Sequence, residues 1–97
     1  MATYVSLVKW TDQGIKQAHD LVQRAQQFRA DCERRGIKML SLHSTQGSCD
    51  AVIVFEAPDE QMMMASLLAL ESLGNVRTET LRAFNEMEML SILQKMS

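Results

Sequence analysis

The chain has 97 residues, enough for one domain with a modest core, and it is 46% hydrophobic and 23% charged. These values are typical of a soluble globular protein and argue against intrinsic disorder. A net charge of −2 gives no general attraction to nucleic acid or to an anionic membrane, so neither is expected as a partner. Residues 1–97 are expected to form a single domain.

The N-terminal segment MATYVSLVKW interrupts its apolar residues with Ser6 and Lys9. Neither a signal peptide nor a membrane span is therefore expected there. The two cysteines, Cys32 and Cys49, form no CxxC pair and have no metal-finger spacing. We expect a cytoplasmic protein with free thiols, without a metal or another cofactor.

Alternating residue types predict a first strand from Thr3 to Trp10. Thr11 or Asp12 then caps a long helix, which is predicted to run to about Arg35 and to end at Gly36. The apolar residues of this helix recur at helical spacing and form one stripe. The segment is therefore predicted to pack along a sheet.

Charged residues are concentrated on this helix. Asp20 and Arg24 are four residues apart, and so are Asp31 and Arg35. Opposite charges at this spacing are neighbours on a helix surface. The sequence therefore predicts two salt bridges on a solvated helix face rather than a surface for nucleic acid.

Two strand-like runs follow, IKMLSLHS and DAVIVFE, joined by TQGS, in which Gly47 supplies the turn. This pattern predicts a hairpin with a loop of about four residues. Pro58 and Asp59 begin a second helix that ends at Gly74. A fourth strand is predicted within GNVRTETLRAF, and NEMEMLSILQKM is predicted to be a short terminal helix capped by Asn85.

The predicted order of elements is strand, helix, strand, strand, helix, strand, helix. Two split βαβ units of this length are typical of a ferredoxin-like α+β sandwich, a four-stranded antiparallel sheet with its helices on one face. The opposite face of the sheet would then have no cover from the chain's own helices.

A four-residue hairpin loop would pair Ser44 with Cys49 and His43 with Asp50. The helix side of the sheet would then hold Leu40, Leu42, Ala51, Ile53 and Phe55. The other side would hold Met39, Ser41, His43, Asp50, Val52 and Val54, together with Tyr4, Ser6, Val8 and Trp10 of the first strand. Such a face exceeds the apolar patch that a monomer usually exposes. We therefore predict a homodimer, or a higher homo-oligomer, in which two sheets enclose a barrel.

The fourth strand carries charges on both faces. Arg77 and Glu79 share one face by parity, and Thr78, Thr80 and Arg82 share the other. The sequence does not determine which face turns inward. A charge on the inner face needs a partner, and both salt bridges at an interface and contacts to a ligand remain open.

Four segments resemble the GYD domain family of small bacterial and archaeal proteins: TYVSLVKWTDQGIK, GSCD, EAPD and LGNVRTETLRAF. Together they span nearly the whole chain, and the last is the most specific. The resemblance implies a dimeric α/β barrel and gives no mechanism, because the biochemical role of the family is essentially unassigned. Cys49 stands where the family usually has tyrosine.

His43 and Asp50 are the candidate catalytic residues. A carboxylate that accepts a hydrogen bond from imidazole fixes its tautomer and raises its basicity, as a general base requires. The alternative is a satisfied polar pair near the end of a hairpin. The candidate ligand-binding residues are Tyr4, Ser6, Trp10, Arg77 and Glu79.

Three functions remain open from the sequence. The first is a homodimeric module that binds a small metabolite in a cavity between the two sheets. The second is a cofactor-free enzyme of the oxygenase, isomerase or decarboxylase type, with His43 as its base. The third is a structural or interaction module whose sheet faces serve assembly alone.

Overall fold

The computed structural model describes all residues from Met1 to Ser97. Its strands are β1 (Ala2–Trp10), β2 (Lys38–Ser44), β3 (Ala51–Ala57) and β4 (Val76–Ala83). Its α-helices are α1 (Asp12–Lys16), α2 (Leu21–Arg34), α3 (Glu60–Glu71) and α4 (Glu86–Gln94), and a short 3-10 helix, Ala18–Asp20, precedes α2.

The four strands form one antiparallel sheet in the order β2-β3-β1-β4. Because β1 and β3 are central, their alternating side chains divide the sheet into a buried face and an open face. The predicted ferredoxin-like α+β architecture is confirmed.

The core lies between this sheet and the helices α2 and α3. Phe28 and Cys32 of α2, and Met63 and Leu67 of α3, are buried against the strands. Phe28 meets Phe55 of β3 edge to face, with ring centroids 5.9 Å apart. Such aromatic pairs add about 0.5–1.5 kcal/mol beyond the area they bury. The helices therefore cover a single face of the sheet.

The inward side of β1 holds Tyr4, Ser6 and Val8, all of which are buried, and Trp10 lies on the same side. The prediction that these four residues lie on the uncovered face is wrong. Both sides of β1 carry apolar residues, so hydrophobicity did not distinguish them. The Ser6 hydroxyl tolerates full burial because it hydrogen-bonds Thr80 Oγ1 at 2.6 Å.

The β2–β3 hairpin has a longer loop than predicted, from Thr45 to Asp50. Ser44 pairs with Ala51, and His43 pairs with Val52. This register differs from the prediction by two residues, so Ser41, Leu42 and His43 keep their predicted faces.

A register irregularity between Met39 and Ser41 interrupts the alternation of side chains in β2. Met39 packs against the core, although it was predicted to lie on the other face. Leu40 is 52% exposed, although it was predicted to face the helices. A bulge changes side-chain direction in this way, and period-two alternation cannot predict it.

The predicted long helix is interrupted between α1 and α2. Asp20 is the N-cap of α2 and has a non-helical ψ of 5°. Because Asp20 lies outside the helix, Asp20 and Arg24 are not neighbours on one helix surface. The Asp20 carboxylate lies 3.7 Å from His19 Nε2 instead. Arg35 is the C-cap of α2, and Asp31 pairs with Arg34. Both predicted salt bridges are wrong.

The start of α1 is fixed to the loop between α3 and β4. Thr11 Oγ1 accepts the Gly14 N–H at 3.1 Å as the predicted cap, and it donates to the Gly74 carbonyl at 2.6 Å. The Thr11 N–H donates to the Asn75 carbonyl at 3.0 Å. A Cβ atom on the buried Gly14 would lie 2.0 Å from that carbonyl oxygen. Glycine at position 14 therefore permits the approach of the two backbones.

Replacing Gly14 by alanine is expected to destabilise the protein by about 3 kcal/mol, because the neighbouring atoms are backbone and cannot turn aside. Gly47→Ala is the control, since a Cβ there meets nothing within 4 Å but must adopt a φ of +110°. It should cost only about 1–2 kcal/mol. Urea unfolding measures both changes, and an equal or smaller loss for Gly14→Ala would contradict the close approach.

Candidate binding surfaces

The open face is the side of the sheet without helices. Its residues are Thr3, Val5, Leu7 and Lys9 of β1, Lys38, Ser41 and His43 of β2, Val52, Val54 and Glu56 of β3, and Arg77, Glu79, Leu81 and Ala83 of β4. Its centre is apolar, because Val5 lies between Val54 and Leu81, and Leu7 lies beside Val52. Leu81 is 47% exposed. Charged side chains border this centre.

A hollow of about 350 Å³ lies at one end of the open face. Its lining consists of Leu7, Lys9, Ser48, Cys49, Arg77, Thr78 and Glu79. Lys9 and Arg77 are directly opposite on neighbouring strands, an arrangement that repels unless an anion compensates it. Arg77 Nε lies 3.4 Å from Glu71 Oε2. The hollow thus brings together the predicted ligand residues Arg77 and Glu79.

The other predicted ligand residues do not reach the open face. Ser6 is fully buried under the helices, and Tyr4 is 6% exposed. The Arg82 guanidinium lies 5.7 Å from the centre of the Tyr4 ring and 4.4 Å from that of Phe84. The buried Tyr4 hydroxyl has no hydrogen-bond partner. Trp10 faces the helix side as well.

His43 and Asp50 do not form the predicted cross-strand pair. His43 is exposed on the open face opposite Val52. The Asp50 carboxylate accepts a hydrogen bond from the backbone N–H of Trp10 at 2.9 Å, and the backbone N–H of Asp50 donates to the Val8 carbonyl at 2.7 Å. Asp50 therefore joins the hairpin loop to the end of β1. A catalytic role for His43 stays a prediction.

A helix-side cleft lies between α2, α3 and the sheet, with a volume of about 350 Å³. Its lining is mainly apolar and includes Val8, Trp10, Leu21, Ala25, Leu42 and Leu70. Arg24 and Arg35 also line it. The sequence does not reveal this cleft, because an apolar stripe on a helix carries no information about the distance between that helix and its neighbour.

The terminal helix α4 begins with a capping box, as Asn85 and Glu88 each accept the backbone N–H of the other. This confirms Asn85 as the predicted cap. Arg82 Nη2 lies 3.6 Å from Glu88 Oε2. None of the residues of α4 is buried. Its exposed large apolar side chains are Met87, Met89, Leu90 and Leu93.

Both cysteines are free thiols. Burial raises the pKa of the Cys32 thiol above its ordinary value, although the hydrogen bond with Ser66 opposes this rise. Cys32 therefore stays protonated in the core, whereas Cys49 lies in the hollow. The fold brings together no group of three His, Cys, Asp or Glu side chains that could hold a metal ion. The helices are all too short or too polar to cross a membrane.

Comparison with known proteins gives a family match over most of the chain. The family model of the GYD domain matches residues 4–93. A protein of Thermus thermophilus named glutamine synthetase and cystathionine beta-lyase binding protein is 28% identical over 95 residues. The alignment covers 97% of this chain and 100% of that relative. No solved structure matches the chain.

Tyr4→Phe is expected to stabilise the protein by about 1 kcal/mol, because it removes a buried hydroxyl that has no partner. Thr80→Val is the contrasting variant. It removes the hydrogen-bond partner of the Ser6 hydroxyl and should lower the free energy of unfolding by about 1–3 kcal/mol. Urea unfolding compares the two. A clear loss of stability in Tyr4→Phe would show that the hydroxyl makes a bond.

Proposed function

The chain belongs to the GYD domain family, and from this premise we propose that it is a self-associating module that binds other proteins. The observation that supports self-association is the apolar centre of the open face, formed by Val5, Leu7, Val52, Val54 and Leu81. A second copy laid sheet to sheet would cover this centre.

Covering the apolar centre would contribute favourable free energy to such an association. Burying one large aliphatic side chain contributes on the order of 1.5–3 kcal/mol. In a two-fold symmetric dimer the same residue is buried in both copies. Four of the five central residues, Val5, Leu7, Val52 and Val54, are already half-buried in the single chain. The contribution per residue is therefore below that figure, and the total is of the same order as the cost of bringing two chains together, which is about 4–15 kcal/mol.

The border of the open face supports a specific orientation. Lys9 and Arg77 lie at one end of the face near Glu79, and Glu56 lies toward the other end opposite Lys38. A two-fold axis across the strands would bring Lys9 and Arg77 of one copy near Glu56 of the other. It would also bring Glu79 of one copy near Lys38 of the other. Complementary charges of this kind select the register of an interface more than they add affinity.

The second part of the proposal concerns α4. Its exposed methionines and leucines form an adaptable apolar surface, of the sort that suits binding to other proteins. The Thermus relative is named for the binding of two enzymes. We propose that this chain also binds enzymes, and that it does so by docking α4 in an apolar groove of a metabolic enzyme.

Native mass spectrometry tests self-association. The wild-type protein is expected at twice the chain mass of 11.0 kDa. Val5→Lys places a charge in the centre of the open face, so the dissociation constant should rise about a hundredfold or more. Leu68→Lys is the matched control, because Leu68 is exposed on α3. A single-chain mass for the wild type at micromolar concentration would overturn this part of the proposal.

A binding assay tests the role of α4. It uses purified glutamine synthetase and cystathionine beta-lyase from the organism that encodes this chain. At least one enzyme should bind the wild type. Leu90→Glu should weaken that binding about tenfold or more, since Leu90 is apolar and 58% exposed. Gln94→Glu adds the same charge on the same helix and should have little effect. Equal binding by both variants would exclude α4 as the docking element.

A small metabolite between the two sheets is the second candidate function. Lys9 in the hollow favours it, because Lys9 has no carboxylate within salt-bridge distance, whereas Arg77 opposite it is paired with Glu71. The same mass spectra report it as an extra mass retained by the dimer and lost in Lys9→Gln. The remaining alternative, a cofactor-free enzyme, would have to use His43 without Asp50.

A further inference from the structure

We propose that the helix-side cleft binds a small amphipathic carboxylate. The apolar part of the ligand would lie between α2 and α3, and its carboxylate would bind Arg24 at the mouth of the cleft. This site lies on the opposite side of the sheet from the open face. It therefore does not depend on self-association or on the hollow.

The cleft has the size and the lining of a ligand site. Its volume of about 350 Å³ is within the usual range for small-molecule pockets, about 300–1,000 Å³. Val8, Ile53 and Leu42 of the sheet form its apolar floor. Small side chains, Ala25 of α2 and Ala69 of α3, leave space between the helices. An apolar chain or ring in the cleft would remove these surfaces from water.

The charge of the cleft is positive. Arg24, Arg29 and Arg35 are its basic lining residues, and Asp31 is its acidic lining residue. The Asp31 carboxylate is already paired with Arg34, which points outside the lining. None of the three lining arginines has a carboxylate within salt-bridge distance. The cleft therefore favours an anion.

Arg24 is the residue best placed to receive that anion. It is half-buried, and its guanidinium donates to the Gly14 carbonyl at 3.4 Å and to Gln17 Oε1 at 3.5 Å. Both distances exceed the usual 2.7–3.2 Å of an N–H···O bond, so the donors are poorly satisfied. A carboxylate can take two parallel N–H donors of one guanidinium. It would replace two weak bonds with a charged pair.

The ligand class follows from the combination of these features. The charged lining residues, Arg24, Arg29, Asp31 and Arg35, all belong to α2 or its C-cap, whereas the lining from the sheet and from α3 is mainly apolar. A sugar or a nucleotide would need polar partners along its whole length, whereas a fatty acid or an aromatic acid needs one anion site and an apolar slot. An amphipathic monocarboxylate is the simplest chemistry that satisfies both parts.

Trp10 provides the readout. It is the single tryptophan of the chain and lines the cleft, so its emission should change when the cleft is filled. Octanoate is the probe, and 1-octanol is the neutral molecule of matched chain length. Octanoate is expected to shift the Trp10 emission in a saturable manner and to raise the melting temperature. In Arg24→Gln its affinity should fall about tenfold or more, while that of 1-octanol is unchanged.

Three further variants keep the test specific. Lys95→Gln makes the same charge change at the end of α4, outside the cleft, and should bind octanoate as the wild type does. Ala69→Phe fills the cleft and should abolish binding of both probes while the far-UV circular dichroism stays native. Val5→Lys should keep wild-type affinity, so a failure of dimerisation leaves the result for the cleft intact.

Three outcomes would overturn the proposal. The first is the absence of any saturable change in the Trp10 emission or the melting temperature with octanoate. The second is equal octanoate affinity in Arg24→Gln and the wild type, which would remove the role of the guanidinium. The third is unchanged binding by folded Ala69→Phe, which would place the ligand elsewhere.

Discussion

The side of β1 that turns toward the helices determines which residues are available for binding on each face of the sheet. Tyr4, Ser6 and Val8 take the inward positions. The hydrogen bond between the Ser6 and Thr80 hydroxyls offsets the cost of burying the Ser6 hydroxyl. The other side of the strand is then left facing outward, with aliphatic side chains near its middle and a lysine near its end. Because side chains alternate along a strand, this arrangement of β1 leaves an apolar centre on the uncovered face.

Much of the architecture was predictable because it depends on local signals. The caps Thr11, Asp59 and Asn85 each accept a backbone N–H at the start of a helix, and their residue types reveal this in the sequence. The order of the elements was then enough to identify the fold. The hairpin register differed by two residues, an error that exchanges partners but not faces. The faces of β3 were therefore predicted correctly.

The sites were less predictable because they depend on parity and on the distances between elements. In β1 both sides are rich in apolar residues, so the alternation carried little information. The predicted pair of His43 and Asp50 required a loop of four residues. In the longer loop that forms, the Asp50 carboxylate accepts the backbone N–H of Trp10 instead. The interruption before α2 removed Asp20 from the helix face and left Arg24 without its expected partner. The interruption of one helix therefore leaves Arg24 of the neighbouring cleft without a carboxylate partner.

The two faces of the sheet can act separately because of the geometry of one strand. Leu7 and Lys9 of β1 belong to the open face, while Val8 and Trp10 line the cleft. Consecutive side chains of a strand point in opposite directions, so a substitution at one position alters one surface at a time. The fold is thin, with a shortest dimension of 18 Å, and a second copy on the open face would leave the mouth between the helices accessible. Association through one face and occupation of the other are therefore compatible within the same protomer.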